Sequence, residues 1–277
     1  MQSQNSFAYI TYLVNDLFLP GVMTLAESLK YHHAKYPLCC MVTPELSQEA
    51  RNKLFLVGVH IIELSPKQLI YPNRKDFGGR YKDKAWMMFT KLNIFNQIQY
   101  KKLVYLDADT VTLDNVDELF EYPSLAAYSD EAVLDSSNKG LSAGVLVLTP
   151  EFLVFQDMLN RINELEYGPN TDQSFLNYYF PKFNKLDAKY NSLYKNMRRN
   201  NRLSDIDDSN KVKILHFNSQ KPWLPRSHKL GWKYSKKDIG YRTFKKYESL
   251  WKEEDNISKK FTGFKKFLNN VKLNKKK

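Results

Sequence analysis

Two acidic residues, Asp107 and Asp109, stand one residue apart directly after the apolar run LVYL at 103–106. Side chains alternate along extended backbone, so the two carboxylates point roughly the same way. They can therefore share one hard cation at the carboxyl edge of a sheet, where open α/β folds bind ligands. The alternative interpretation is a pair of turn aspartates, which are common where strands end.

Other groups that could do chemistry lie in separate motifs along the chain. These are YITYLVND at 9–16, FTKL at 89–92, SAGVLV at 142–147, TDQSFLN at 171–177 and HFNSQKPW at 216–223. They supply an imidazole that suits a metal ion and ammonium groups that suit a phosphate. Each motif alone is a weak signal, but together in this order they are specific.

Apolar periodicity predicts the elements that must position these residues. Strands at 7–14, 37–43, 59–64 and 101–106 alternate with helices at 17–33, 47–57 and 84–97. Later strands are predicted at 124–129, 142–149 and 212–217, and later helices at 152–165 and 172–179. Strands separated by helices pair in parallel, so we predict an α/β fold with a doubly wound sheet.

Positive charge is concentrated at one end of the chain. The 277 residues carry a net charge of +12, and residues 229–277 hold 16 Lys+Arg against 5 Asp+Glu. We therefore predict a nearly neutral domain at 1–228 and a basic, amphipathic extension at 229–277. Two apolar stripes mark the extension, one with Tyr241, Phe244, Tyr247 and Trp251, the other with Phe261, Phe264, Leu268 and Val271. They either pack onto the domain or dock on an anionic surface or a partner.

The cellular compartment is predicted from what the sequence lacks. No apolar run approaches the roughly 18 residues of a membrane span, and no signal peptide is recognisable. Cys39 and Cys40 are adjacent in a predicted strand, so they face opposite ways and are expected to be reduced thiols. We expect a cytoplasmic protein.

In this order the motifs resemble glycosyltransferase family 8, the glycogenin-like enzymes of GT-A fold. The resemblance runs from about residue 7 to 223 and leaves the basic extension outside. It implies a single GT-A domain with a mixed, Rossmann-like sheet, and metal-dependent, retaining transfer of a hexose from a UDP-sugar, UDP-glucose above others. A catalytically weak protein that docks on a glycan or membrane through its basic extension is the rival hypothesis.

The resemblance implies that Asp107, Asp109 and His216 chelate a divalent cation that bridges the donor diphosphate. Two carboxylates and an imidazole suit Mn²⁺ better than Mg²⁺, which is the alternative, because imidazole is the softer ligand. The other interpretation of His216 is an ordinary strand residue that makes one hydrogen bond.

The resemblance also assigns the positions that would bind the donor. Lys221 would pair with the diphosphate, and Phe18 would stack on uracil, unless Phe18 and Tyr12 merely pack in the core. Ser142 and Ala143 replace the usual asparagine and serine, and Ser219 replaces a usual glycine. The full donor set is Tyr12, Val14, Asn15, Phe18, Lys82, Lys91, Asp107, Ala108, Asp109, Ser142, Ala143, Asn170, Asp172, Gln173, Ser219 and Lys221.

Asp172, Gln173 and Lys91 are the predicted catalytic residues. A carboxylate near the anomeric carbon can act as a nucleophile or stabilise an oxocarbenium-like transition state. The simpler role for Asp172 is to cap the helix that follows.

The acceptor is predicted to be a separate molecule. Glycogenin glucosylates its own tyrosine, but the corresponding stretch at 197–200 has none, and Tyr194 is the nearest candidate. We expect a glycan, a protein or a small polyol as acceptor, with self-glucosylation as the alternative. A homodimer is compatible with the sequence.

Overall fold

A computed structural model describes residues 6–72, 85–130, 140–163, 171–253 and 256. The strands are β1 (Phe7–Leu13), β2 (Leu38–Val42), β3 (His60–Glu63), β4 (Lys102–Leu106), β5 (Thr110–Thr112), β6 (Ala126–Asp130), β7 (Gly140–Leu148), β8 (Asn184–Leu186), β9 (Ser192–Leu193) and β10 (Ile214–His216). The α-helices are α1 (Leu19–Tyr31), α2 (Gln48–Leu56), α3 (Ala85–Phe89), α4 (Phe152–Arg161), α5 (Asp172–Tyr179), α6 (Tyr194–Arg199) and α7 (239–253). None of these described helices is both long and apolar enough to span a membrane.

The main sheet has seven strands in the order β3-β2-β1-β4-β7-β6-β8. The first four run parallel, β7 is antiparallel to both β4 and β6, and β8 is parallel to β6. This mixed α/β sheet confirms the predicted fold class. A second sheet, β5-β10-β9, stands beside the end of β4.

Strand β4 is buried on both faces, which explains its continuous apolar run. Val104 and Leu106 join the cluster that includes Val22 of α1, whereas Leu103 and Tyr105 join the cluster on the opposite face. The buried strand therefore fixes the position of the aspartate pair at the carboxyl end of β4.

The adjacent cysteines of β2 follow the same alternation. Cys40 lies in the first of these clusters and Cys39 in the second, and both are free thiols. The sequence prediction that they face opposite ways is confirmed.

The predicted elements are present, with bounds that differ by a few residues. The helix predicted at 84–97 begins as α3 and continues as a 3₁₀ helix, Thr90–Asn96. The helix predicted at 152–165 ends at Arg161, and positions 164–165 lie outside the described residues. Strands β5, β8 and β9 were not predicted, because two or three residues carry no readable periodicity.

The first amphipathic stripe of the basic extension packs onto the domain. Phe244, Tyr247 and Trp251 of α7 are 1%, 2% and 9% exposed. The hydroxyl of Tyr247 lies 2.8 Å from Nε2 of His32, and the indole N–H of Trp251 donates to Oγ1 of Thr24 at 3.3 Å. The second stripe, 261–271, lies outside the described residues, and the boundary at 228/229 stays a prediction.

Replacing Trp251 tests whether α7 is part of the folded domain. Trp251→Ala removes a buried indole, so the free energy of unfolding should fall by about 3–5 kcal/mol. Phe55→Ala is the control, since Phe55 is an aromatic on a helix and is 77% exposed; its effect should stay within about 0.5 kcal/mol. Urea unfolding measures both. Equal, small losses would contradict the packing of α7.

Candidate active site

The aspartate pair lies in the tight turn between β4 and β5. The amide of Thr110 donates to the carbonyl of Asp107 at 3.0 Å, and the amide of Asp107 donates to the carbonyl of Gly144 at 2.9 Å. The turn is therefore held by its own closing bond and by β7. A Cβ on Gly21 would come within 2.2 Å of the carbonyl oxygen of Ala108, so α1 packs directly against the turn.

The second sheet brings a histidine to the pair. Strand β10 is antiparallel to β5, with His216 opposite Thr110, and the amide of Phe217 donates to the carbonyl of Asp109 at 2.9 Å. Nε2 of His216 lies 3.2 Å from Oδ1 of Asp109 and 3.7 Å from Oδ2 of Asp107. One ligand atom from each of the three residues lies within 4.8 Å of the others, as a metal ion requires.

The hydrogen bonds of His216 suit it to be a ligand. Its Nδ1 lies 2.9 Å from Oδ1 of Asn191, whose amide nitrogen donates to Oγ of Ser142 at 3.0 Å. An amide oxygen only accepts, so Nδ1 donates to Asn191, and Nε2 is the ring nitrogen that faces the carboxylates. An imidazole and two carboxylates fit a divalent transition metal such as Mn²⁺.

Gly144 leaves the space that the imidazole fills. A Cβ at this position would lie 2.4 Å from Cε1 and 2.6 Å from Nδ1 of His216. The glycine in the SAGVLV motif is therefore required by the close approach of the imidazole rather than by backbone conformation.

Two buried lysines balance the carboxylates. Nζ of Lys91 lies 3.2 Å from Oδ1 of Asp107 and 3.2 Å from Oδ2 of Asp172, and it donates to the carbonyl of Ala143 at 2.7 Å. Burial lowers the pKa of Lys91, but the two carboxylates raise it by a larger amount. The pKa of Lys91 therefore lies above its usual value, and the side chain stays protonated.

The second lysine, Lys221, pairs with Asp109 and donates to the carbonyl of Phe217 at 2.6 Å. Burial raises the pKa of Asp109, but Lys221 and His216 outweigh burial, and the pKa lies well below its usual range. Asp109 is therefore ionised at neutral pH, as a metal ligand must be.

A cavity of about 330 Å³ opens beside this cluster. It is lined by nine predicted donor residues, Tyr12, Val14, Asn15, Phe18, Lys91, Asp107, Ala108, Asp109 and Asp172. Leu13, Met87, Met88 and Tyr105 complete the lining. The structure thus brings together residues from β1, α3 and its 3₁₀ continuation, the β4–β5 turn and α5.

The two aromatic candidates line the cavity rather than only the core. Phe18 is half-buried, and its ring packs edge-on against Trp223 with centroids 5.7 Å apart. The hydroxyl of Tyr12 is buried near Thr90 but makes no hydrogen bond of normal geometry among the described residues. A buried hydroxyl without a partner is costly, so a polar ligand group would stabilise it.

Asp172 does not cap the helix, so that interpretation of it is wrong. The cap is Thr171, whose Oγ1 accepts from the amide of Ser174 at 3.1 Å. Asp172 is the first helical residue and instead turns to Lys91. Beside it, Oε1 of Gln173 accepts from the amide of Ala143 at 2.9 Å, which ties α5 to β7.

Other predicted residues fall outside the cavity or outside the described chain. The carbonyl of Ala143 accepts from the lining residue Lys91, whereas Ser142 bonds to Asn191, which does not line the cavity. Gln173, Ser219 and Lys221 do not line it either. Lys82 and Asn170 lie outside the described residues.

Two contributing residues were missed from the sequence. The hydroxyl of Tyr105 donates to Oδ1 of Asp107 at 2.6 Å, which the two-residue strand period could have indicated. Asn191 carried no local signal, since only the fold places it beside His216.

Comparison with known proteins places these residues in a family context. The family model "Glycosyl transferase family 8" matches residues 9–226. The chain is 26% identical to the putative UDP-glucuronate:xylan alpha-glucuronosyltransferase 4 of Arabidopsis thaliana, over 93% of this chain and 44% of that protein. It is 31% identical to glycogenin of Neurospora crassa, over 78% of this chain and 31% of that protein. The chain thus spans less than half the length of either relative.

Similarity to a solved structure extends to the fold. The galactosyltransferase LgtC, solved in complex with donor and acceptor sugar analogs, aligns with a TM-score of 0.63 at 17% identity. The alignment covers 89% of this chain and 99% of that one, which confirms the predicted architecture.

Crowding the imidazole tests the metal cluster. Gly144→Ala should displace His216 and lower the affinity for Mn²⁺ about 10–100-fold, as loss of ligand orientation does. Gly58→Ala is the control. The φ of +76° at Gly58 strains any other residue, but an added Cβ there would have no atom within 4 Å and would not displace a neighbour. It should reduce stability by about 1 kcal/mol without changing Mn²⁺ affinity. Titration calorimetry with MnCl₂ compares them, and equal affinities would refute the role of His216.

Proposed function

The chain belongs to glycosyl transferase family 8, and on that premise we propose that it transfers a hexose from a UDP-sugar to a hydroxyl acceptor, depends on a divalent metal and retains the anomeric configuration. The single observation that carries this proposal is the convergence of Asp107, Asp109 and His216 beside a cavity of about 330 Å³. These residues come from the β4–β5 turn and β10, so their meeting is a property of the fold.

In this proposal Asp107, Asp109 and His216 hold the metal, with Mn²⁺ preferred because of the imidazole. When bound, the metal supplies Lewis-acid neutralisation of the charge that develops on the departing diphosphate. Lys221 adds a second positive charge from the same side, since its ammonium is held at Asp109. Phe18, whose ring lies at the cavity wall, would stack on the uracil.

The charge of the cavity wall favours an uncharged hexose, so we propose glucose as the transferred sugar. Lys91 is the one cation among the described lining residues, and it already pairs with both Asp107 and Asp172. A donor that carries a carboxylate, such as UDP-glucuronate, would find no unpaired cation there.

Asp172 is proposed to stabilise positive charge at the anomeric carbon. Lys91 fixes its carboxylate at the cavity wall, and this ion pair lowers its nucleophilicity. A fixed negative group stabilises an oxocarbenium-like transition state without reorganising. Gln173, bonded to Ala143, keeps the start of α5 in place.

The surroundings of Tyr194 support a separate acceptor. Its side chain is 3% exposed, and its hydroxyl donates to Asp238. Tyr190 is equally buried, with its hydroxyl bonded to Glu118 at 3.0 Å. Neither hydroxyl is free to attack a donor bound in the cavity, so we propose transfer to a glycan or a small polyol.

Kinetics with UDP-glucose and Mn²⁺ test the proposed chemistry. Asp172→Asn should lower kcat for UDP-glucose turnover about 10²–10³-fold, because it removes charge that acts in the transition state. It should keep the thermal shift produced by UDP with Mn²⁺. Asp109→Asn should lose both. Asp187→Asn, which alters an aspartate that caps the 3₁₀ turn Ala188–Tyr190, is the control and should keep both.

Two outcomes would count against the proposal. Full turnover in Asp109→Asn would exclude the metal cluster from the reaction. A thermal shift with UDP-glucuronate and none with UDP-glucose would contradict the proposed donor.

Mass spectrometry tests the separate acceptor. After incubation with UDP-glucose and Mn²⁺ in the absence of any other acceptor, the intact mass should stay unchanged, because the nearby tyrosine hydroxyls are buried and bonded. Added hexose units that disappear in Tyr194→Phe would show self-glucosylation instead.

A further inference from the structure

A buried tyrosine, Tyr105, stands beside the metal cluster near the carboxyl end of β4. It is 2% exposed, and its ring belongs to the apolar cluster that also contains Phe89 and Phe175. Tyr105 lines the cavity of about 330 Å³ as well. The proposed reaction assigns no role to this side chain, although its polar end lies among the charged groups of the site.

Two donors engage one oxygen of Asp107. The hydroxyl of Tyr105 donates to Oδ1 at 2.6 Å, and Nζ of Lys91 donates to the same oxygen at 3.2 Å. A hydroxyl bond of this length to a carboxylate is a strong, charge-assisted bond. Oδ1 is therefore held within the protein by a neutral donor and a cationic one.

The other oxygen of Asp107 lies on the side of the metal cluster. Oδ2 is 3.7 Å from Nε2 of His216, the ring nitrogen that faces the carboxylates. The two oxygens of a carboxylate are rigidly linked, so a bond that holds Oδ1 also aims Oδ2. The hydrogen bond from Tyr105 thus orients a metal ligand in the way that outer partners of metal sites do.

The ring of Tyr105 has a separate contact from its hydroxyl. Nζ of Lys91 lies 4.4 Å from the ring centroid, within the range of a cation–π interaction. The same ammonium pairs with Asp172 at 3.2 Å. Loss of the hydroxyl alone would therefore free Oδ1 of Asp107 while the ring still supports Lys91.

We infer that Tyr105 is a positioning residue that makes the site prefer Mn²⁺ to Ca²⁺. By engaging Oδ1, it presents Asp107 to the metal through Oδ2. Ca²⁺ collects many oxygen ligands and commonly takes both oxygens of one carboxylate, whereas an imidazole suits Mn²⁺. The inference rests on the proposed function and adds to it the source of its metal preference.

Removing the hydroxyl tests this role. Tyr105→Phe should raise the dissociation constant for Mn²⁺ about 10–100-fold, because Asp107 loses its orientation. The constant for Ca²⁺ should not rise, because the freed Oδ1 becomes available as a second oxygen. The preference for Mn²⁺ over Ca²⁺ should therefore fall by about tenfold or more. Titration calorimetry with MnCl₂ and with CaCl₂ measures both constants.

Tyr9→Phe is the matched control. Tyr9 is a buried tyrosine of β1 whose hydroxyl donates to Oδ1 of Asp117 at 2.8 Å, so the variant loses the same kind of bond away from the site. It should lower the urea midpoint of unfolding, as Tyr105→Phe does, and leave both metal dissociation constants unchanged.

Hydrolysis of UDP-glucose gives a second measurement. In Tyr105→Phe the Mn²⁺ concentration for half-maximal rate should rise about tenfold, while kcat at saturating Mn²⁺ should stay close to that of the unaltered protein. The reason is that Lys91 and Asp172 keep their places when the ring remains. A lower kcat with an unchanged Mn²⁺ dependence would contradict the inference.

The inference and the proposed function fail differently. An unchanged preference for Mn²⁺ over Ca²⁺ in Tyr105→Phe, with Mn²⁺ still bound by the unaltered protein, would overturn the role of Tyr105 alone. Absence of Mn²⁺ binding by the unaltered protein would refute the metal cluster on which the proposed function depends.

Discussion

The antiparallel pairing of β5 with β10 is the constraint on which the candidate site depends. It sets His216 opposite Thr110 and therefore beside Asp109, although more than a hundred residues separate them in the chain. Neither strand could hold this position alone, because each has only three residues. Bonds from neighbouring elements complete the arrangement: Asn191 orients the imidazole, and Gly144 leaves room for it.

The buried charges around this pairing explain why the site suits a cation. Three carboxylates, Asp107, Asp109 and Asp172, face two ammonium groups, Lys91 and Lys221. The carboxylates thus outnumber the ammonium groups by one, in surroundings where unpaired charge is costly. A divalent cation would balance the surplus carboxylate charge, so the folded arrangement favours metal binding.

Helix α7 supports the wall of the cavity of about 330 Å³. Phe18 lines that cavity and packs edge-on against Trp223, and Phe244 of α7 packs against Trp223 with ring centroids 5.2 Å apart. Part of the basic extension thus supports the site, since the indole of Trp251 holds α7 to Thr24 of α1.

The sequence by itself determined the order of the early elements and the α/β class, because strand and helix periods are local signals. Its short motifs, through their resemblance to a known family, indicated the mixed sheet and most of the residues that line the cavity. It also predicted, from strand alternation, that Asp107 and Asp109 share one side. Their carboxylates do converge, but they lie in a turn and not on extended backbone. Only the tertiary structure decided that Thr171 rather than Asp172 caps α5, that Asn191 orients His216, and that Tyr194 is buried. The orientation of His216 and the burial of Tyr194 depend on partners far along the chain. The cap of α5 depends on which of two adjacent polar side chains accepts the hydrogen bond from the first turn of the helix. No periodicity or motif encodes such a choice, because it follows from packing of the whole domain.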